Sequence, residues 1–235
     1  MKIKLLAAAA VLAVGASAHA DVSLLDSTMY GTLAGTNAGT ISGVSFASAA
    51  GNFIVKSGGT PTVSGLGVTG GRTSNEIDIG ETITMSWTGP LQITSFAVGM
   101  LFNGPEFADF SEIAQVTAWN GSLSVGIGVL QVAASGTTSA TFTGTTFGTV
   151  TNLSPATASG GGGWQVDNPF GTAGVTKLEF TALTSGLCGT PSACTNQSDY
   201  VLSSVTAVPE PSGYLMALAS LAGIGFVARR RRARR

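Results

Sequence analysis

The segment Thr82-Ile83-Thr84-Met85-Ser86-Trp87 alternates polar and apolar residues without a break. A period of two puts Ile83, Met85 and Trp87 on one face of an extended chain and leaves the threonines and Ser86 on the other. Thr176 to Ala182 repeats the pattern, with Leu178, Phe180 and Ala182 against Lys177, Glu179 and Thr181. Further short, β-branched runs are Leu91 to Phe102, Ala114 to Trp119, Ser122 to Val132, Thr138 to Thr143 and Tyr200 to Thr206, punctuated by Gly, Asn or Pro. Such spacing predicts an all-β chain, a single β-sandwich or jelly-roll-like domain over 21–207. Only Pro105 to Ala114, with Phe107, Phe110 and Ile113 three apart, reads as a helical turn or packed loop. Four consecutive glycines, Gly160 to Gly163, predict a flexible loop before Trp164. The first forty residues after Ala20 are diffuse in pattern, and strands are expected there as well.

Charge narrows the function. The chain has 11 Lys+Arg and 12 Asp+Glu, but Lys2, Lys4 and six arginines after Ala228 leave only Lys56, Arg72 and Lys177 between residues 21 and 208. Of the acids only Glu210 lies outside that stretch, so it carries 3 − 11 = −8. An acidic domain repels a phosphate backbone, which excludes nucleic acid as a partner. The one histidine is His19. Without it the domain has no Ser–His–Asp or Cys–His pair and no His-ligated metal. With 10% charged residues and 33 glycines, a non-enzymatic domain without cofactor or metal is the expectation.

Residues 1–20 read as a signal peptide. Lys2 and Lys4 form a positive start, Leu5 to Val14 is apolar, and Ala18-His19-Ala20 is a small-x-small site, so cleavage is expected between Ala20 and Asp21. Residues 208–235 form a second tripartite signal. Pro209-Glu210-Pro211 is stiff and non-helical. Gly213 to Ala228 is free of charge for sixteen residues, a helix of ~24 Å against a hydrocarbon core of ~30 Å. Arg229, Arg230, Arg231, Arg232, Arg234 and Arg235 follow, and a basic cluster stays in the cytoplasm, placing the domain outside and the tail inside.

The order Pro-Glu-Pro, apolar helix, arginine cluster resembles the PEP-CTERM sorting signal of Gram-negative bacteria. The resemblance covers the last 28 residues, with Pro209, Glu210 and Pro211 as the processing motif, Tyr214 to Ala228 as the transmembrane sorting helix and Arg229 to Arg235 as the basic end. It implies recognition and processing by exosortase at the inner membrane, then display at the cell surface or in the extracellular matrix. It also implies a producer of extracellular polysaccharide, and hence an exported surface or matrix protein associated with exopolysaccharide or biofilm.

Other groups are weaker candidates. Cys188 and Cys194, outside the cytoplasm and six apart, are expected to form a disulfide that closes a small loop. Glu76, Asp78 and Glu81, and Glu106, Asp109 and Glu112, fit no calcium-loop spacing and read as solvated acidic rims. Trp87 alternates with Ile83 and Met85 and belongs with the core. Trp119, before Asn120-Gly121, and Trp164, after the glycines, are candidate exposed platforms for stacking sugars. A carbohydrate-binding module is therefore an alternative, and a carboxylate-based glycoside hydrolase, which needs no histidine, a further one.

Overall fold

A computed structural model describes residues 21–58, 62–102, 111–133, 139–154, 162–184 and 198–209. Strands come first and last. β1 (Val22–Leu25) is followed by the single-turn α1 (Tyr30–Leu33), β2 (Ala38–Ile41), β3 (Val44–Ser48), β4 (Phe53–Gly58) and β5 (Val63–Val68). The seventeen-residue β6 (Ile83–Gly99) comes next, then β7 (Ile113–Asn120), β8 (Leu123–Val132), β9 (Ala140–Thr143) and β10 (Thr149–Asn152). β11 (Trp164–Asp167), β12 (Gly174–Leu183) and β13 (Val201–Pro209) complete the order.

Every named strand joins one hydrogen-bonded network with antiparallel neighbours, whose main path is β4-β5-β13-β6-β12-β7-β8-β9. β6 is its spine. The first part pairs with β3 (Ser45↔Ser86) and β12 (Phe180↔Ile83), the second with β13 (Val205↔Phe96) and β11 (Val166↔Phe96). Between them Thr88, Gly89 and Pro90 are exposed. Pro90 lacks an N–H for the ladder and suits a bend there.

Two phenylalanines show how far the spine bends. Phe180 lies opposite Ile83, and Phe96 stands 96 − 83 = 13 residues further along β6, about 44 Å on a straight strand. Yet the two rings meet edge to face at 5.7 Å, and Phe142 of β9 meets Phe96 at 5.9 Å. The sheet therefore doubles over at the 88–90 corner and packs against itself, sandwich-like. One core lies between the layers, built on Phe46, Phe53, Met85, Phe96, Phe180 and Tyr200. Tyr200 is wholly buried and donates its hydroxyl proton to Thr181 O at 3.2 Å.

The alternation in β6 and β12 holds as read: Ile83, Met85, Leu178, Phe180 and Ala182 are buried, and Trp87 packs against the core from its margin. Two readings need correction, and a third gains definition. The segments 82–87 and 91–102 are one strand, because the corner bends the chain without releasing its β12 partner. The diffuse N-terminal stretch does hold strands, β1 to β4, whose glycines and serines mask the period: Gly58, for instance, faces Met100 so closely that a Cβ would stand 2.6 Å from Cε. Most of the turn expected at 105–114 lies outside the described residues, but Ile113 and Ala114 begin β7. Among the described residues no helix is long and apolar enough to cross a membrane; the apolar stretch 213–228 lies outside them.

Candidate functional site

Three places bring polar or aromatic groups together. The first is the outer face of the layer formed by β3, the first part of β6, β12, β7 and β8. Register places Ser45, Ser86, Lys177, Trp119 and Ser124 in one row across it. Trp119 is half-buried. Its indole N–H donates to Glu179 Oε2 at 2.8 Å, Lys177 Nζ donates to Glu179 Oε1 at 2.7 Å, and the ammonium lies 4.4 Å from the Trp119 ring centre. The carboxylate thus holds both the ring and the cation in place, with a cation–π contact closing the triangle. Thr84 and Thr117 flank Glu179 on the neighbouring strands. An aromatic edge among hydroxyls, a carboxylate and an ammonium suits a polyhydroxylated ligand.

Trp164 does not join this face. Expected as an exposed platform after the glycines, it starts β11 instead, is 1% exposed, and donates its indole N–H to Leu101 O at 2.8 Å. Both the ring and its polar handle are used internally, so no sugar reaches it. Trp164 is a core residue, not a platform for sugar.

The second place is an acidic knot. The solvated rim expected of Glu76, Asp78 and Glu81 is overturned: all three are buried, together with Asp199. The loop after β5 folds onto the start of β13, where Ile77 N–H donates to Tyr200 O at 2.7 Å. Its carboxylates then accept the loop's own donors. Thr73 N–H donates to Asp78 Oδ2 at 2.9 Å, Asp78 N–H to Glu81 Oε2 at 2.9 Å, and Thr73 Oγ1 to Asp199 Oδ2 at 2.8 Å. Lys56 of β4 pairs with Glu76. Burial, and then the neighbouring Asp199 carboxylate, push the Glu76 carboxyl up to about 9, against the pull of Lys56. Burial also raises Asp78 and Glu81. Three bases cannot neutralise eleven acids, so backbone N–H groups serve as partners; that shortage was the signal available in the sequence. Glu112 is likewise buried, accepting the Phe102 N–H, whereas Glu106 and Asp109 lie outside the described residues. Among the described residues no three carboxylate, thiol or imidazole groups gather as metal ligands.

The third place is where the described chain ends. β13 is an interior strand, bonded to β6, β5 and β1, and Pro209 at its end lies opposite Leu91 beside the corner. Against known families, residues 207–232 match the PEP-CTERM protein-sorting motif. The chain carries a PEP-CTERM sorting motif. Its first three residues, Ala207, Val208 and Pro209, are still part of the sheet, with Ala207 fully buried. The motif thus begins inside the folded domain without a linker. Its remaining residues, Glu210, Pro211 and Arg229, Arg230, Arg231, Arg232, Arg234 and Arg235 among them, lie outside the described residues. So do Cys188 and Cys194, and Ala18 and Ala20. Asp21, the residue after the expected cleavage, is exposed and directly precedes β1. No curated protein and no solved structure matches the chain.

Proposed function

We propose that this chain is an exported, exosortase-sorted protein whose folded domain serves as a non-catalytic surface or matrix component associated with exopolysaccharide. The reading takes residues 1–20 as a cleaved signal peptide and residues 213–228 as a transmembrane helix that holds the precursor in the inner membrane with its arginines in the cytoplasm. Exosortase then acts at Pro209 to Pro211. The observation that carries this is the sorting motif at 207–232, in the order of rigid prolines, apolar stretch and arginines that a stop-transfer and processing signal needs. In an exosortase-deficient strain the protein should retain its arginine tail, read by intact-mass spectrometry, and should fail to reach the surface. Identical mass and location in both strains would refute the reading.

A second reading, carbohydrate binding, is favoured by the Trp119–Glu179–Lys177 triangle on a hydroxyl-lined face. Trp119→Ala should abolish binding on a glycan array while leaving the fold intact. Binding that survives the substitution would place any sugar site elsewhere.

A further inference from the structure

The end of the sandwich at which the chain leaves for its sorting segment is built from hairpin tips and the β6 corner. Register defines this end. Pro209 lies opposite Leu91, and Leu91 opposite Val175. The next residue, Thr176, accepts the Gly121 N–H on Oγ1 at 2.9 Å. The β7–β8 hairpin tip, Asn120 to Leu123, is therefore level with the chain exit, on the facing layer. The corner Thr88 to Pro90 and the β2–β3 turn at Ser42-Gly43 share the same end. Gly121 adopts φ +60° in the tip, a conformation that costs glycine nothing.

Neither the tip, the corner nor the turn carries an acid, although the domain as a whole has a charge of −8. Leu123, 67% exposed, is the most exposed large hydrophobic residue among those described. Lys177 and the half-buried Trp119 stand beside the tip. The nearby acids are Asp21, since Val22 lies opposite Ala207, and Glu179, which is bonded to both Trp119 and Lys177.

The tether is short. Between Pro209 and the charge-free stretch from Gly213 stand residues 210–212, so four Cα steps separate the two, a reach of about 14 Å even when fully extended. A headgroup layer takes up roughly 6 Å of that. Resting on the membrane-anchored reading above, we propose that this end of the sandwich is a lipid-facing surface. In the anchored precursor, the Leu123 tip and the Thr88–Pro90 corner sit on the headgroups of the bilayer that holds the C-terminal segment. Leu123 enters the interface and Trp119 lies at headgroup depth, with the Lys177–Glu179 pair beside it. The acidic knot of Glu76, Asp78, Glu81 and Asp199 lies at the start of β13, at the far end of the domain.

The test uses the exported full chain reconstituted in phosphatidylethanolamine/phosphatidylglycerol nanodiscs, read by hydrogen exchange with mass spectrometry, alongside flotation with vesicles of the same lipids. Amides of 120–123 should exchange about tenfold more slowly in the wild type than in Leu123→Asp, the factor that burying one leucine supplies. Leu123→Trp, which keeps an apolar tip, should retain the protection, and all three proteins should float. A wild-type chain that floats while its tip exchanges as fast as Leu123→Asp overturns the surface and leaves the anchor standing. Protection that appears only when exosortase shares the disc also overturns it, since the face would then belong to the enzyme. Failure to float removes the anchored reading, and the surface with it.

Discussion

Glu76 shows how a single carboxyl sets the acid–base character of the domain. Its value of about 9 in the fold, against an ordinary 4.5, means that the folded state holds a proton the unfolded chain has already released. The linkage then has a definite sign. Below about 4.5 both states are protonated and the group contributes its full stability. As pH rises from there toward 9 that stability drains away, at up to ~1.4 kcal/mol per pH unit for one proton. Asp78 and Glu81, raised by burial, push in the same direction. The melting temperature should therefore be highest in mildly acidic buffer and fall toward pH 9, and Glu76→Gln should flatten the profile. A melting temperature that climbs over this range would contradict the arrangement. The two tryptophans differ in the same physical terms. Trp164→Ala removes a fully buried ring and an internal hydrogen bond and should cost ~3–5 kcal/mol in denaturant titrations. Trp119→Ala, losing a half-buried ring and one cation–π contact, should cost about 1 kcal/mol.

Among the elements, β13 has the most to lose. It is flanked by β6, β5 and β1, and Val201, Leu202, Val205 and Ala207 are all buried. A chain stopped after Ser198 should therefore fail to fold, whereas one stopped after Pro211 should melt at the temperature of the exosortase-processed protein; circular dichroism separates the two. Gly65→Ala tests the packing of β5 on β13. Its Cβ would stand 2.6 Å from Val201 Cγ2 and 2.9 Å from Leu202 O, an overpacking that costs ~1–3 kcal/mol. What could be read in advance follows the chemistry of each strand. β6, β7, β8, β12 and β13 have side chains large enough for their alternation to show. β4 and β5 contain Gly58, Gly65 and Gly67, which exist for close approach and erase the period. Trp119 was legible because Asn120-Gly121 marks a hairpin; Trp164 was misplaced because a glycine run reads as a loop whatever follows it. The acidic knot stayed hidden because its partners are backbone N–H groups, which no side-chain pattern records.

At the scale of the whole molecule, charge is partitioned along the chain. From Asp21 onward the unprocessed protein carries nine bases and twelve acids, 9 − 12 = −3, and loss of the arginine tail removes six of those bases. Processing should shift the isoelectric point sharply downward, and isoelectric focusing of the membrane-held and released forms would show it. Two bands at one position would mean that the tail is kept. The interior position of β13 also has a mechanical side. A pull on the tether acts along the axis of β13, so its hydrogen bonds to β1 and β6 must slip together in shear. An edge strand tugged sideways would instead peel open one bond at a time. A domain tied down through its middle strand withstands drag from the surrounding medium for as long as the tether stays uncut.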